Sequence, residues 1–188
     1  LQVPEDSLAE YKGKLDDTPY TGGNGYLPHQ FPHAAYAAMI TRMDRDIGAI
    51  LGALRERGLD KNTIVVFTSD NGPTYTGGSD TPFFNSAAGL RGVKGQLYEG
   101  GIRVPLIISW PGHIKPGGES AYPCANWDLY ATLTDGADVD GLRTDGTSLL
   151  TKIGASDEER TLYWETPAGQ ASQAVRIGNY KGVRNKIR

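Results

Sequence analysis

The sequence predicts an α/β fold, and three observations carry that reading. One segment repeats apolar residues at helical spacing, and a continuous β-branched run follows it after a short link. The chain then closes on short stretches of strand character separated by a tight-turn signal. The helix spans about residues 34 to 57, with Tyr36, Ile40, Met43, Ile47, Ile50, Leu51 and Leu54 forming one apolar stripe. Pro32 marks its start, Arg55 and Arg57 suit the negative end of the dipole, and Gly58 stands where a C-terminal cap belongs.

Thr63 to Thr68 reads as a strand buried on both faces, the signature of a parallel sheet. Residues 70 to 101 form a long Gly-, Ser- and Asn-rich loop. Val104 to Trp110 is a second buried strand, closed by Pro111-Gly112, and Trp127 to Leu133 is a short helix capped by Asn126. Past residue 150, Thr161 to Glu165, Gln173 to Ile177 and Tyr180 to Arg184 are short strands, the last two joined by a Gly178-Asn179 hairpin turn. Residues 1 to 33 contain four Pro and little periodicity, so they are expected to be a loop lying over structure outside this chain. The text changes near residue 150, which divides the chain into segments 1–150 and 151–188.

Composition narrows the function. The 188 residues carry 19 Lys plus Arg against 22 Asp plus Glu, a net charge of -3, so there is no electrostatic case for a nucleic-acid partner. No apolar run approaches the ~20 residues of a membrane-spanning helix. The single cysteine, Cys124, allows no intramolecular disulfide and reads as a small buried thiol. Gly reaches 25 of 188, nearly double the usual ~7%.

Two stretches could carry chemistry. Asp70-Asn71-Gly72 sits just past the carboxyl end of the best strand, where ligands collect in open α/β sheets. An adjacent carboxylate and carboxamide are hard oxygen donors suited to Ca²⁺ or Mg²⁺, although Asn-Gly by itself is also a turn signal. Leu90-Arg91-Gly92-Val93-Lys94-Gly95 could bring a Lys ammonium close to an anion, or be a solvated basic loop. Glu99 and Arg103, four apart, read as a structural ion pair. Thr74 to Ser86, with Tyr75, Phe83 and Phe84, either lines a substrate pocket or covers the sheet. His29 and His33 have metal-pair spacing, but Pro28 and Pro32 argue against a helix that would bring them together. His113 reads as a solvated turn residue, and Tyr163-Trp164-Glu165 most simply as a packing strand, with Glu165 placed where it could face substrate.

Thr68 to Gly72, Gly89 to Pro105 and Trp110-Pro111-Gly112 together resemble the type I sulfatases (arylsulfatase A-like) of the alkaline phosphatase superfamily. Tyr36 to Gly48, Asp128 to Leu133 and Asp145 to Leu149 add supporting matches, and the resemblance covers about residues 34 to 184. It implies the downstream part of a mainly parallel sheet with flanking helices, plus a partial antiparallel C-terminal subdomain. It also implies that Asp70 and Asn71 are ligands to a divalent cation, usually Ca²⁺, and that Lys94 binds the sulfate group and steadies the ester oxygen as the S–O bond breaks. The substrate implied is a sulfate ester, an aryl sulfate or a sulfated carbohydrate. The compartment implied is periplasm, secretion or a lysosome-like lumen.

The family's formylglycine arises from a Cys or Ser in a Cys-x-Pro-x-Arg-like motif. Cys124, in Pro123-Cys124-Ala125, does not match it, and the upstream Asp-Asp ligands are missing as well. The chain is therefore expected to be the C-terminal part of a sulfatase, inactive alone. The alternatives are a phosphatase or phosphonate hydrolase of the same superfamily, and a non-catalytic module that binds sulfated glycans.

Overall fold

The first 33 residues are folded rather than a bare loop. In the computed structural model, which describes residues 1–139, 143–154, 159–166 and 171–187, Glu5–Ala9 forms a helix, α1. Leu8 packs with Ala34 and Ala35 in a core bordered by Leu1, Val3, Tyr11 and Phe31. Polar groups extend the same contact: Tyr11 meets Thr41 at 2.5 Å, and Arg42 and Arg45 donate to Ser7 at 3.0 Å and Glu10 at 2.8 Å. The prolines do not oppose this packing, because Pro4 precedes α1, and the Tyr20–His29 bridge turns the chain back.

The long helix, α2, runs Pro32–Glu56, with proline at its first position where its missing N–H leaves nothing unsatisfied. Its C-terminus closes as a Schellman motif. Leu59 N–H donates to Leu54 at 2.9 Å and Gly58 N–H to Arg55 at 3.0 Å, with Gly58 at φ +66°. The buried residues of α2 are Pro32, His33, Ala34, Ala35 and Ala38, whereas Ile40, Met43 and Ile50 on the predicted stripe are 46%, 47% and 62% exposed. Small alanines let α1 approach closely, which periodicity alone does not reveal.

No side chain of α2's own N-cap residue caps the helix; a remote one does. Asp17 Oδ1 accepts from the N–H of His33 at 2.6 Å and of Ala34 at 3.4 Å, placing a carboxylate on the positive end of the helix. Asp17→Ala is expected to lower stability by about 1–2 kcal/mol, read as a lower urea midpoint at unchanged m. An unshifted midpoint would show that the cap contributes nothing.

The chain packs as two compact units, Leu1–Asp60 with Asn71–Arg103, and Lys61–Asp70 with Val104–Arg188. The first holds α1, α2 and two single-turn helices, α3 (Thr81–Phe84) and α4 (Glu99–Ile102). The second holds β1 (Val65–Thr68), β2 (Leu106–Ser109), α5 (Asp128–Gly136) and three strands near the C-terminus. β1 pairs with β2 from Val65 opposite Ser109 to Thr68 opposite Leu106, and the pair is antiparallel.

The α/β class therefore stands, but the parallel direction read from residues 63–68 does not. All strand pairs among the described residues are antiparallel. A β-branched apolar run reports burial, whereas direction is set by how the following chain returns. Nor is the pair covered on both faces here: Phe67 is 37% exposed and Ile107 60%.

Asn126 does not cap α5. Its carboxamide reaches Ser69 instead, while Asp128 inside the first turn accepts from Ala125 N–H at 2.8 Å. β3 (Thr161–Thr166), β4 (Ala171–Ile177) and β5 (Tyr180–Ile187) form the expected antiparallel sheet in the order β3-β4-β5. The hairpin places Ile177 opposite Tyr180, with Gly178 at φ +52°.

Candidate functional site

β1 ends at Thr68, whose hydroxyl donates to Pro105 O at 2.9 Å and pins the strand end beside the start of β2. Asn126 Nδ2 donates to Ser69 O at 3.2 Å from 57 residues away. Asp70 follows these two anchors and is exposed. The chain passes from the second packing unit to the first between Asp70 and Asn71.

In the first unit, Asn71 is half-buried and its Nδ2 donates to Gly72 O at 3.2 Å, which sets the plane of the carboxamide. Gly72 N–H donates to Gly101 O at 2.9 Å, and Lys94 N–H donates to Pro73 O at 2.8 Å. The segment that carries Asn71 is thus stitched by backbone to the loop that carries Lys94. That stitching requires glycine. A Cβ on Gly72 would lie 1.9 Å from Gly100 O, and one on Gly100 would lie 2.1 Å from Gly92 O. Main chain rests on main chain with no room for a methyl group at Gly72, Gly100 and Gly101, whereas Gly89 and Gly95 have open space around them and serve the turns at positive φ.

Lys94 is exposed, and among the described residues no carboxylate pairs with its ammonium. The neighbouring cation is committed elsewhere. Arg91 lies 3.9 Å over the Tyr98 ring and donates to its hydroxyl at 3.1 Å. Glu99 and Arg103 approach to 3.9 Å, the loose ion pair that their spacing predicted. The arrangement can present one unpaired cation on a backbone-braced turn, a construction suited to an anionic group.

Asp70 and Asn71 supply hard oxygen donors of the kind Ca²⁺ takes, and would fill two of its ~6–8 positions. Among the described residues no group of three or more His, Cys, Asp or Glu side chains converges as a further metal site. His29 and His33 are not a metal pair. His29 Nδ1 accepts from Phe31 N–H at 3.0 Å, while buried His33 bonds Asp16 O through Nδ1 and lies 3.1 Å from Asp80 through Nε2. Phe83 stacks on the His33 ring at 4.0 Å and Phe84 meets it edge-on at 5.6 Å. His113 is exposed and stacks on Trp110 at 3.8 Å.

The strongest electrostatic feature went unread in the sequence. Asp128 is fully buried and takes a two-pronged grip from Arg160, Nη1 to Oδ2 at 2.6 Å and Nη2 to Oδ1 at 2.7 Å. Thr147 N–H adds a bond at 2.9 Å. Burial alone would raise the Asp128 pKa. The Arg160 guanidinium and the Thr147 and Ala125 N–H groups outweigh it and hold the carboxyl below its ordinary value. Burial, reinforced by Asp128, raises the pKa of the half-buried Cys124 thiol, which favours the inert neutral form. At the far end of the chain, Tyr163 donates to Glu165 at 2.5 Å on an exposed face of β3, so Glu165 is engaged within its own sheet.

A family model described as Sulfatase matches residues 6–139. Steryl-sulfatase of Mus musculus is 37% identical over 123 residues, 63% of this chain and 20% of that protein. The chain therefore spans about a fifth of that relative's length. Among solved structures, Ps i-CgsB in complex with k-i-k-neocarrahexaose superposes with a TM-score of 0.78 at 25% identity, over 100% of this chain and 38% of that one. Another, solved in complex with its substrate D-glucosamine-2-N,6-O-disulfate, gives a TM-score of 0.64 at 28% identity, over 82% of this chain and 31% of that one.

Proposed function

The chain belongs to the sulfatase family, and from that premise we propose that it is the downstream part of an enzyme that hydrolyses the sulfate ester of a carbohydrate. Residues 1–150 belong in this reading to the catalytic domain, and residues 151–188 to a partial antiparallel C-terminal subdomain. The carbohydrate assignment draws on the oligosaccharide and the disulfated glucosamine bound by the two structural neighbours. One observation carries the reading: the unpaired Lys94 ammonium stands on a turn tied by its own N–H to the segment that begins at Asn71.

Lys94 binds the sulfate oxygens and, as the S–O ester bond breaks, stabilises the charge growing on the departing oxygen. The transition state resembles a loose phosphoryl transfer, in which positioning and fixed cations do most of the work. Asp70 and Asn71 would hold a Ca²⁺ ion, which when bound would supply further positive charge against the sulfate. The Gly72–Gly101 and Lys94–Pro73 backbone bonds keep the main chain of the Lys94 turn registered against Asn71, so only the lysine side chain has to be ordered when the substrate binds. The nucleophile, formylglycine in this reading, arises outside these 188 residues, which contain no Cys-x-Pro-x-Arg sequence.

The complete coding frame that contains this chain is expected to yield a protein that releases inorganic sulfate from sulfated sugars. Chelation should abolish the activity and Ca²⁺ restore it. The 188-residue chain alone should bind Ca²⁺ only weakly in calorimetry, since two donors leave most of the coordination sphere to water. Phosphate esters cleaved in preference to sulfate esters would move the protein to the phosphatase branch. Retention on a sulfated polysaccharide with no ester cleavage would leave a binding module.

A further inference from the structure

Thr74 to Phe84 follows directly on the segment that carries Asn71, and the structure braces it from several sides. Buried Ser79 and Thr81 both donate their hydroxyls to one carbonyl, Thr74 O, at 2.7 and 2.8 Å, and Ser79 also reaches Thr76 O at 3.0 Å. Thr74 and Thr76 bond each other through their hydroxyls at 2.8 Å. On the outside of this knot, a Cβ on Gly77 would meet the Tyr26 ring at 2.7 Å, and one on Gly78 would meet Pro32 at 2.8 Å. At its end, Asp80 accepts from Phe83 N–H at 3.1 Å and stands 3.1 Å from His33, which is itself held in the first turn of α2.

Thr74, Thr76, Ser79, Thr81, Phe83 and Phe84 are thus engaged, and Tyr75 is the exception. It is 67% exposed, and among the described residues its ring makes no hydrogen bond or ring contact. A large aromatic side chain left in water on a segment this rigid loses little conformational freedom when something covers it. It also stands near the proposed sulfate site. Lys94 N–H is bonded to Pro73 O, two residues before Tyr75, so covalent geometry keeps the Tyr75 and Lys94 Cα atoms within about 12 Å. Both belong to the same packing unit.

We infer that Tyr75 is a specificity-determining residue, an aromatic platform on which the ring of the sulfated sugar stacks while its sulfate is held at Lys94. This rests on the sulfatase reading above and extends it to the part of the substrate that does not react. The face of a pyranose presents C–H groups, which pack against an aromatic ring and gain from its negative face. The braced loop serves to hold that platform at one fixed separation from the Lys94 turn.

The test uses the complete protein and a panel of sulfated mono- and disaccharides, comparing wild type with Tyr75→Ala and Tyr75→Phe. Tyr75→Ala should raise KM roughly ten-fold, the size of one lost stacking contact, with kcat and Tm near wild type. Tyr75→Phe, which keeps the ring and loses the hydroxyl, should restore KM to within about two-fold of wild type. A wild type active on these sugars, with KM unchanged in Tyr75→Ala, overturns the proposal alone. So does a Tyr75→Phe that fails as badly as the alanine, because the hydroxyl would then be the determinant. A wild type that cleaves no sulfate ester overturns the sulfatase reading and this inference with it.

Discussion

Lys94→Ala in the complete protein is expected to depress sulfate ester turnover by about 10²-fold or more, the size of a lost charge-stabilising donor. The fall should appear in kcat more than in KM, because the charge that Lys94 meets is larger at the departing oxygen than in the bound ester. Fold stability should hardly change, since the side chain is exposed and pairs with no carboxylate among the described residues. That pairing of results is the diagnostic. A variant with wild-type kcat would remove Lys94 from the chemistry, and a collapse of Tm together with activity would make it a structural residue.

The second large effect lies at Asp128. Removing one partner of the Asp128–Arg160 pair leaves the other charge buried, and Arg160→Met or Asp128→Ala is expected to lower stability by about 3–5 kcal/mol. That loss is measurable as a lower Tm by calorimetry. Arg160→Lys keeps the charge but not the two parallel bonds, and should recover part of the loss. If the alanine variant does not fold, Asp128→Asn provides the milder comparison.

The same pair sets an acid limit. The folded-state pKa of Asp128 is depressed, so its contribution is fully present above the unfolded value of about 4 and is lost as pH falls through the lower folded value. Stability should therefore fall more steeply with acid in the wild type than in Asp128→Asn. Parallel acid profiles for the two proteins would mean that the pair contributes nothing to pH dependence.

Local signals were read well from sequence. The chain from Pro32 to Leu59 becomes a helix with a Schellman end because proline, the basic last turn and Gly58 each act within a turn or two of their own position. Gly178-Asn179 makes its hairpin for the same reason. The short β1 and β2 strands were legible from β-branched runs, and Asp70, Asn71 and Lys94 stood out by residue type and by place relative to those runs. Sequence also determined the family, because its motifs occur in one order along a single chain.

Only the tertiary structure decided the rest, and in each case the deciding partner is remote. Asp17 caps a helix 16 residues downstream, Arg160 grips a carboxylate 32 residues back, and Asn126 holds Ser69 across 57 instead of capping the helix that follows it. The direction of β2 against β1 and the choice of Ala34, Ala35 and Ala38 over the larger apolar stripe as α2's buried residues depend equally on what returns to pack there. The glycines of residues 89–101 look like loop formers in the sequence. That Gly100 must lack a side chain follows from the carbonyls of Arg91 and Gly92 lying 2.9 and 2.1 Å from where its Cβ would stand. Propensity, tight turns and the glycine stop of a helix act between near neighbours and can be read along the chain, whereas burial, pairing direction, remote caps and long-range charge partners arise only when distant segments exclude water from one another.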